Sequence, residues 1–484
     1  MTTPTMPSDY PEELSGNVLG GGDAPAALLE ALHAQHVPFS VGETERADHG
    51  RDWWPLSIGW VAKGEVPSFP GVVVFPRTVE DVQLVLRTAN ELRIAVTPQG
   101  GRSGVVGGAV PMPGAIALDL THMNAVLALD AISGTVTAQA GIFGPDLEAF
   151  LGPRDLTTGH VPQSFDLSTL GGWLACRGAG QRSNRYGKIE DIVRGLSVVL
   201  ANGDLVVTGN RGPRQAVGPD LNQLFVGSEG TLGVIVEATL VVRHIPDHHE
   251  QTAYQFSSFA DGLEACRRII QRGAHPSVLR LYDETETKRN FDVEECALIV
   301  LEEGDVGLVR ASMSVVTEEC SGATLLDPLL VDRWLAHRND VSALAPLWAR
   351  GIVVDTIEIA GSWANLATIH QHVVEALLAI PGIAVASVHQ SHAYDDGACL
   401  YFTFAGYPEE DTTDFYRRAW DVASEVVLAA GGALSHHHGV GRNRARFVSE
   451  ALGDAYGVLV AMKDILDPNH ILNPGVLGLG APPW

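Results

Sequence analysis

Basic residues are scarce in this chain of 484: 32 lysines and arginines stand against 58 aspartates and glutamates, a formal net charge of −26 with the histidines neutral. So acidic a surface repels phosphate backbones and anionic lipid headgroups, so nucleic acid and membrane surfaces are poor partners. An anionic small molecule would need a local basic pocket set against that field. No run of 18 apolar residues is present, which argues against a membrane span. The first 24 residues, rich in proline, glycine and acids, have neither the basic nor the apolar stretch of a signal peptide. Cysteine is sparse too. Cys176, Cys266, Cys296, Cys320 and Cys399 are odd in number and form no CxxC pair, which argues for reduced thiols in a cytoplasm and against a disulfide framework.

What the chain does contain is core-forming material. Hydrophobic residues make up 45% and charged residues 19%, the balance of a globular protein long enough for two or three domains. After the tail, "APAALLEALHA" has the composition of a short helix. "GVVVFPRTVEDVQLVLRTANELRIAVTPQGG" reads as strand, turn, helix capped by Thr78 with Asp81 three residues on, strand, and glycine-rich loop. "SVVLANGDLVVTG" reads as a hairpin around Asn202-Gly203. From about residue 250 strands and helices alternate, with "CALIVLEEG" and "ACLYFTFAGY" as strands and "DFYRRAWDVASEVVLAAGG" as a long helix ended by a glycine pair.

Three glycine-rich segments carry the functional signal. "TPQGGRSGVVGG" (97–108) follows a strand, as a phosphate-cradling loop should, yet it is neither GxGxxG nor GxxxxGK[ST], so neither a Rossmann nor a Walker A site is implied. "TTGHVPQSFDLSTLGGWLACRGAGQRSNRYGKIED" (157–191) is dense enough in small residues for a flat ring system to approach the main chain, and "VGSEGTLGVI" (226–235) is a third such segment.

Together these segments resemble the flavin-binding domain of the vanillyl-alcohol-oxidase type of flavoprotein, nearest the alkylglycerone-phosphate synthase branch with its D-lactate and D-2-hydroxyglutarate dehydrogenase relatives. The resemblance runs from about residue 65 to 484 and rests on "PQGGRSG", "QSFDLST", "CRGA" and "EGTLGVI". It implies an α+β fold: a two-subdomain PCMH-type FAD-binding domain over 41–245, after a tail and short helix (1–40). An α/β cap for substrate (246–435) would follow, and 436–484 would return to the FAD domain. It also implies FAD as cofactor. Pro98, Gln99, Gly100, Gly101, Arg102, Ser103 and Gly104 would hold the pyrophosphate. Gln163, Ser164, Ser168, Thr169 and Gly172, with Cys176, Arg177, Gly178 and Ala179, would line the adenosine and isoalloxazine. Glu229, Gly230, Thr231, Gly233 and Ile235 would close over the ring. Arg102 stands where some relatives carry a histidine bonded to the flavin, so the expectation is noncovalent FAD.

The same resemblance gives a role to two segments that would otherwise read as packing. "SHAYDDGACLYF" (391–402) is similar to the segment bearing the synthase's catalytic tyrosine, which falls on Tyr394, and "SHHHGVG" to its triple-histidine segment. If His436 to His438 ended a strand, alternation would put His436 and His438 on one face and His437 on the other. Neutral imidazole can take a hydroxyl proton, so His437 or His438 is the expected base, with His436 beside them. Arg442 and Arg444 could supply positive charge. Arg338 and His392 are the expected substrate contacts. His392, Cys399 and His437 fall near positions where the hydroxy-acid dehydrogenases hold zinc. The synthase-like residues there imply metal-free chemistry instead. The expected activity is oxidation of a small hydroxyl-bearing substrate, a 2-hydroxy acid or alcohol, by hydride transfer to FAD. The electron acceptor would be dioxygen, a quinone or another protein, and the enzyme a homodimer. The alternatives are the non-redox synthase reaction on a glycerone phosphate and a flavin-binding protein without catalysis.

Overall fold

The computed structural model describes residues 22–480 apart from 67, 210–211, 341–343 and 410, so most of the expected N-terminal tail lies outside the described residues. The short helix after it is Ala26–Ala34.

The first sheet contains β1 (Phe39–Ser40), β2 (Val72–Val74), β3 (Val96–Gln99) and β4 (Ile116–Asp119) in the order β1-β2-β4-β3, with β2 and β3 each parallel to β4. The helix Val79–Leu92 links β2 to β3. Thr78 accepts from the Asp81 N–H while the Asp81 carboxylate accepts from the Thr78 N–H, the capping box read from the sequence. Val82, Val85, Leu86 and Ala89 recur at helical spacing and are buried against the sheet.

The second sheet is antiparallel. Its strands are β5 (Val126–Asp130) and β6 (Thr135–Gln139), then, beyond a two-residue β7 (Leu156–Thr157), β8 (Val193–Val199), β9 (Leu205–Gly209) and β10 (Val234–Val241), ordered β5-β6-β10-β8-β9. β8 and β9 form the expected hairpin, with Gly203 at φ 81° in its turn. β11 (Arg243–His244) pairs with β7.

The third sheet has seven strands, all antiparallel: β12 (His248–Phe256), β13 (Val278–Tyr282), β14 (Cys296–Gly304), β15 (Thr324–Leu326), β16 (Val353–Ser362), β17 (Ile383–Ala393) and β18 (Gly397–Gly406), ordered β15-β12-β14-β13-β17-β18-β16. β14 is apolar almost throughout because both its faces are covered. Cys296, Leu298 and Val300 join the core beneath helices Phe259–Gln271, Trp363–Leu378 and Thr412–Ala429, while Ala297, Ile299 and Leu301 join a second core with Phe291, Leu330 and Trp334.

After this sheet the chain comes back to the first one. Val96 donates to Ile471 O (2.7 Å), Asn473 donates to Val96 O (2.8 Å), and the buried Lys463 ammonium binds Thr231 O, Leu472 O and Asp467. The segment 436–438 is a bend, not the end of a strand, because its backbone N–H groups go to a carboxylate instead of a ladder.

Candidate active site

The register of the third sheet lays one polar row across four strands: Glu358 on β16 faces Tyr401 on β18, Tyr401 faces His389 on β17, and His389 faces Tyr282 on β13. Residues one position along, such as Ile357, Ile359, Leu400 and Phe402, point into the apolar core on the other side.

Glu358, fully buried, organises the histidines. Its carboxylate accepts the backbone N–H groups of His436, His437 (3.1 Å) and His438 (3.1 Å), the Ser435 hydroxyl (2.8 Å), and an ion pair from the equally buried Arg444 (2.9 Å). Three successive N–H groups on one carboxylate curl the backbone, so the three rings converge instead of alternating. Burial alone would raise this carboxyl, but the Arg444 guanidinium holds it well below the usual carboxylate range. Burial, reinforced by neighbouring histidines, pushes His436 and His437 down to about 3 and His438 to about 4, so all three rings are neutral near pH 7.

The tight turn between β17 and β18 presents Tyr394. Its N–H donates to Gly397 O (2.8 Å) and its carbonyl accepts from the Trp363 indole (2.9 Å). The Tyr394 hydroxyl lies 2.5 Å from His436 Nε2, and His436 Nδ1 lies 2.8 Å from His437 Nδ1. A proton entering at Tyr394 can therefore pass through His436, which accepts at Nε2 and donates at Nδ1, to His437 Nδ1. His392 stacks on His436 with centroids 4.9 Å apart, and its Nδ1 meets the Ser183 hydroxyl at 2.7 Å. His438 Nε2 meets the Tyr401 hydroxyl at 3.3 Å. Tyr394, His392 and all three histidines are thus brought together.

Arg338 caps the helix Leu329–His337 and bonds Leu335 O. Its guanidinium lies 5.9 Å from the Trp334 ring, against which Arg280 also packs, at 5.3 Å. Neither arginine has a carboxylate partner among the described residues. Arg444 is committed to Glu358, and Arg442 donates to Val110 O (2.9 Å).

The expected cofactor segments meet on the flavin side. Among the described residues, no backbone N–H from 100 to 108 reaches a protein acceptor, so this loop offers a run of unpaired donors of the kind that cradles a pyrophosphate. A Cβ on Gly101 would lie 1.9 Å from Leu167 O, and one on Gly100 2.2 Å from Thr169 Oγ1. The loop therefore sits flush against 167–169, where Ser168 accepts from the Trp173 indole and Thr169 caps the helix Leu170–Cys176 through the Gly172 N–H. Gln99 holds His49 O and Ala109 O, shaping the loop from below, and Arg102 pairs with Asp48 at 2.8 Å. Pro98 packs against Gly230. Glu229 accepts the Val440 and Gly441 N–H groups (2.7 and 2.8 Å), fastening the histidine loop to the flavin side, and Cys176 lies beside Gly439. Arg177 reaches Glu190 (3.1 Å). Gly178 donates to Trp173 O, and Ala179 is buried beside it. Thr231, Gly233 and Ile235 serve packing: Thr231 bonds Ser228 O, Gly233 lies on Val198, and Ile235 is in the core of the second sheet. Gln163 is exposed, and Ser164, Ser103 and Gly104 are partly exposed or open.

Residues 70–209 match the FAD binding domain family, and residues 245–477 match the family of FAD linked oxidases, C-terminal domain. The chain belongs to the FAD-linked oxidases. FAD is the cofactor, and the unpaired donors at 100–108 are of a kind that fits its phosphates. Among relatives, the alkyldihydroxyacetonephosphate synthase of Dictyostelium discoideum is 31% identical over 453 residues, 85% of this chain and 74% of that one. The glycolate oxidase subunit GlcD of Bacillus subtilis (strain 168) is 27% identical over 436 residues, 87% of this chain and 91% of that one. A solved alkyldihydroxyacetonephosphate synthase structure superposes with a TM-score of 0.80 at 27% identity, over 96% of this chain and 88% of that one.

Reading the sequence missed Glu358, Arg280, His389, Tyr401 and the Ser183–Tyr186 helix. It also missed His160, fully buried against Trp173 with neither ring nitrogen bonded. A signal existed for Glu358: alternation in "DTIEIAG" puts its carboxylate opposite the apolar Ile357 and Ile359. Glu358, Cys399, His436 and His437 offer ligand atoms within 4.8 Å of one another, a different set from the His392, Cys399 and His437 considered from sequence, but both Glu358 oxygens are already engaged by donors.

Proposed function

We propose that this FAD-linked oxidase oxidises a small hydroxyl-bearing substrate that carries an anionic group, foremost a 2-hydroxy acid. The observation that carries this reading is the Tyr394–His436–His437 chain of hydrogen bonds within reach of the charge of Arg280, which has no carboxylate in direct contact. When bound, noncovalent FAD supplies the hydride-accepting ring. Tyr394 Oη accepts the substrate hydroxyl proton as its own proton passes to His436 Nε2, and the His436 Nδ1 proton passes to His437 Nδ1. The relay starts from neutral groups and leaves His437 protonated on both nitrogens, a cation faced by the Glu358 carboxylate at 3.9 Å, which releases its extra proton to solvent between turnovers. Arg280 and Arg338 hold the anionic group. Ser183 and His392 fix the relay's flank. We assign the flavin domain to 41–245, the cap to 246–435, and the returning segment to 436–484.

A second reading is the synthase reaction on a glycerone phosphate, favoured by the 31% identity to the Dictyostelium discoideum synthase. It would use the same tyrosine, histidines and arginines. Anaerobic mixing of the yellow holoenzyme with 2-hydroxy acids, simple alcohols and an acylated glycerone phosphate separates the two. Bleaching by hydroxy acids alone supports the oxidase. No bleaching, with isotope exchange into the glycerone phosphate, supports the synthase.

A further inference from the structure

Beneath the site, a buried carboxylate reaches Arg280 through one imidazole. Glu286 lies almost wholly buried on the helix Glu284–Phe291, where its Oε1 accepts from Ser387 (3.2 Å) and Thr403 (3.0 Å) and it pairs with Arg289 at 3.2 Å. Its Oε2 lies 2.8 Å from His389 Nδ1, and His389 Nε2 lies 2.6 Å from Arg280 Nη2. A guanidinium only donates, so His389 Nε2 accepts, Nδ1 carries the proton, and that proton goes to Glu286. The tautomer is fixed by its neighbours. Burial and the Arg280 charge lower the His389 pKa, which keeps the ring neutral and able to accept.

The charge of Arg280 also reaches the catalytic cluster: it helps lower the pKa values of His392 and His437, after burial and the neighbouring histidines. Its Nε donates to Tyr282 (3.1 Å), the Trp334 ring packs against its guanidinium, and His389 itself stacks on Tyr401 with centroids 4.8 Å apart. One edge of the fork is thus committed to the protein, and the charge it carries has no carboxylate in direct contact.

We infer that Glu286 and His389 are positioning residues that aim Arg280 at the anionic group of the substrate and so set the preference for charged over neutral substrates. This rests on the anionic-substrate reading above. The contribution of such a charge-assisted partner is roughly ten-fold in affinity.

The test uses the FAD-loaded full chain and the shift of the flavin visible band on titration with acetate, inorganic phosphate and uncharged acetamide, none of which has a hydroxyl to oxidise. The expected result is that one anion shifts the band of the wild type, identifying carboxylate or phosphate as the recognised group. Glu286→Gln and His389→Phe then weaken that anion about ten-fold, while acetamide responses stay as in the wild type. His389→Gln, whose amide oxygen can still accept from Arg280, should recover most of the affinity. Wild-type anion affinity in both Glu286→Gln and His389→Phe would overturn the positioning role. Should Glu286→Gln fail to retain FAD, the His389→Phe and His389→Gln pair decides alone. A wild type indifferent to both anions would instead remove the anionic-substrate reading, and this inference with it.

Discussion

At the scale of single residues, the site depends on buried groups whose protonation is set by neighbours. Tyr394→Phe removes the first oxygen of the relay without touching FAD, so the rate of anaerobic flavin bleaching should fall by roughly 100-fold or more with an unchanged flavin spectrum. Glu358→Gln leaves Arg444 as a buried, unpaired cation, and thermal unfolding should show a loss of about 3 kcal/mol. The histidines make a prediction about pH. Their folded pKa values of about 3 and 4 lie below the unfolded value, so the stability they contribute is present above about pH 6.5 and lost as pH falls toward 4. The pH profile of flavin reduction should accordingly lack an imidazole limb between pH 6 and 7, with its acid limb below about pH 5. Glu229, raised to about 7 by burial, behaves oppositely: the stability associated with its neutral form is present below about pH 4.3 and lost as pH rises through 7.

At the scale of elements, two kinds of segment differed in how much they disclosed. The capped helix Val79–Leu92, the β8–β9 hairpin and the glycine-rich loops were legible because capping, turn chemistry and close backbone approach are local rules. Gly101 is the sharpest case: Gly101→Ala would drive a Cβ into Leu167 O, and the purified protein should come off without FAD, whereas Gly152→Ala, with nothing within 4 Å, should retain it. The polar row Glu358–Tyr401–His389–Tyr282 was not legible. It exists only through the register of four strands drawn from residues 278 to 406, and no local pattern fixes which strands become neighbours. The bend at His436 to His438 escaped for the same reason, since the carboxylate that curls it lies on β16.

At the scale of the whole molecule, a strongly acidic chain keeps two half-buried guanidinium groups, Arg280 and Arg338, without a carboxylate in direct contact. A field of that sign repels free anions in solution, so added salt should raise the rate of association of an anionic substrate, measurable as a salt-dependent kcat/KM. The relay needs no metal, and prolonged treatment with a chelator should leave flavin reduction at its starting rate. The central claim is that this site oxidises a hydroxyl next to an anionic group. Its most direct test is anaerobic stopped-flow reduction of the FAD-loaded enzyme by a 2-hydroxy acid with and without deuterium on the hydroxyl-bearing carbon. The expected result is bleaching with a primary isotope effect, nearly abolished in Tyr394→Phe. A flavin that no 2-hydroxy acid bleaches, in an enzyme that exchanges isotope into a glycerone phosphate, would contradict it.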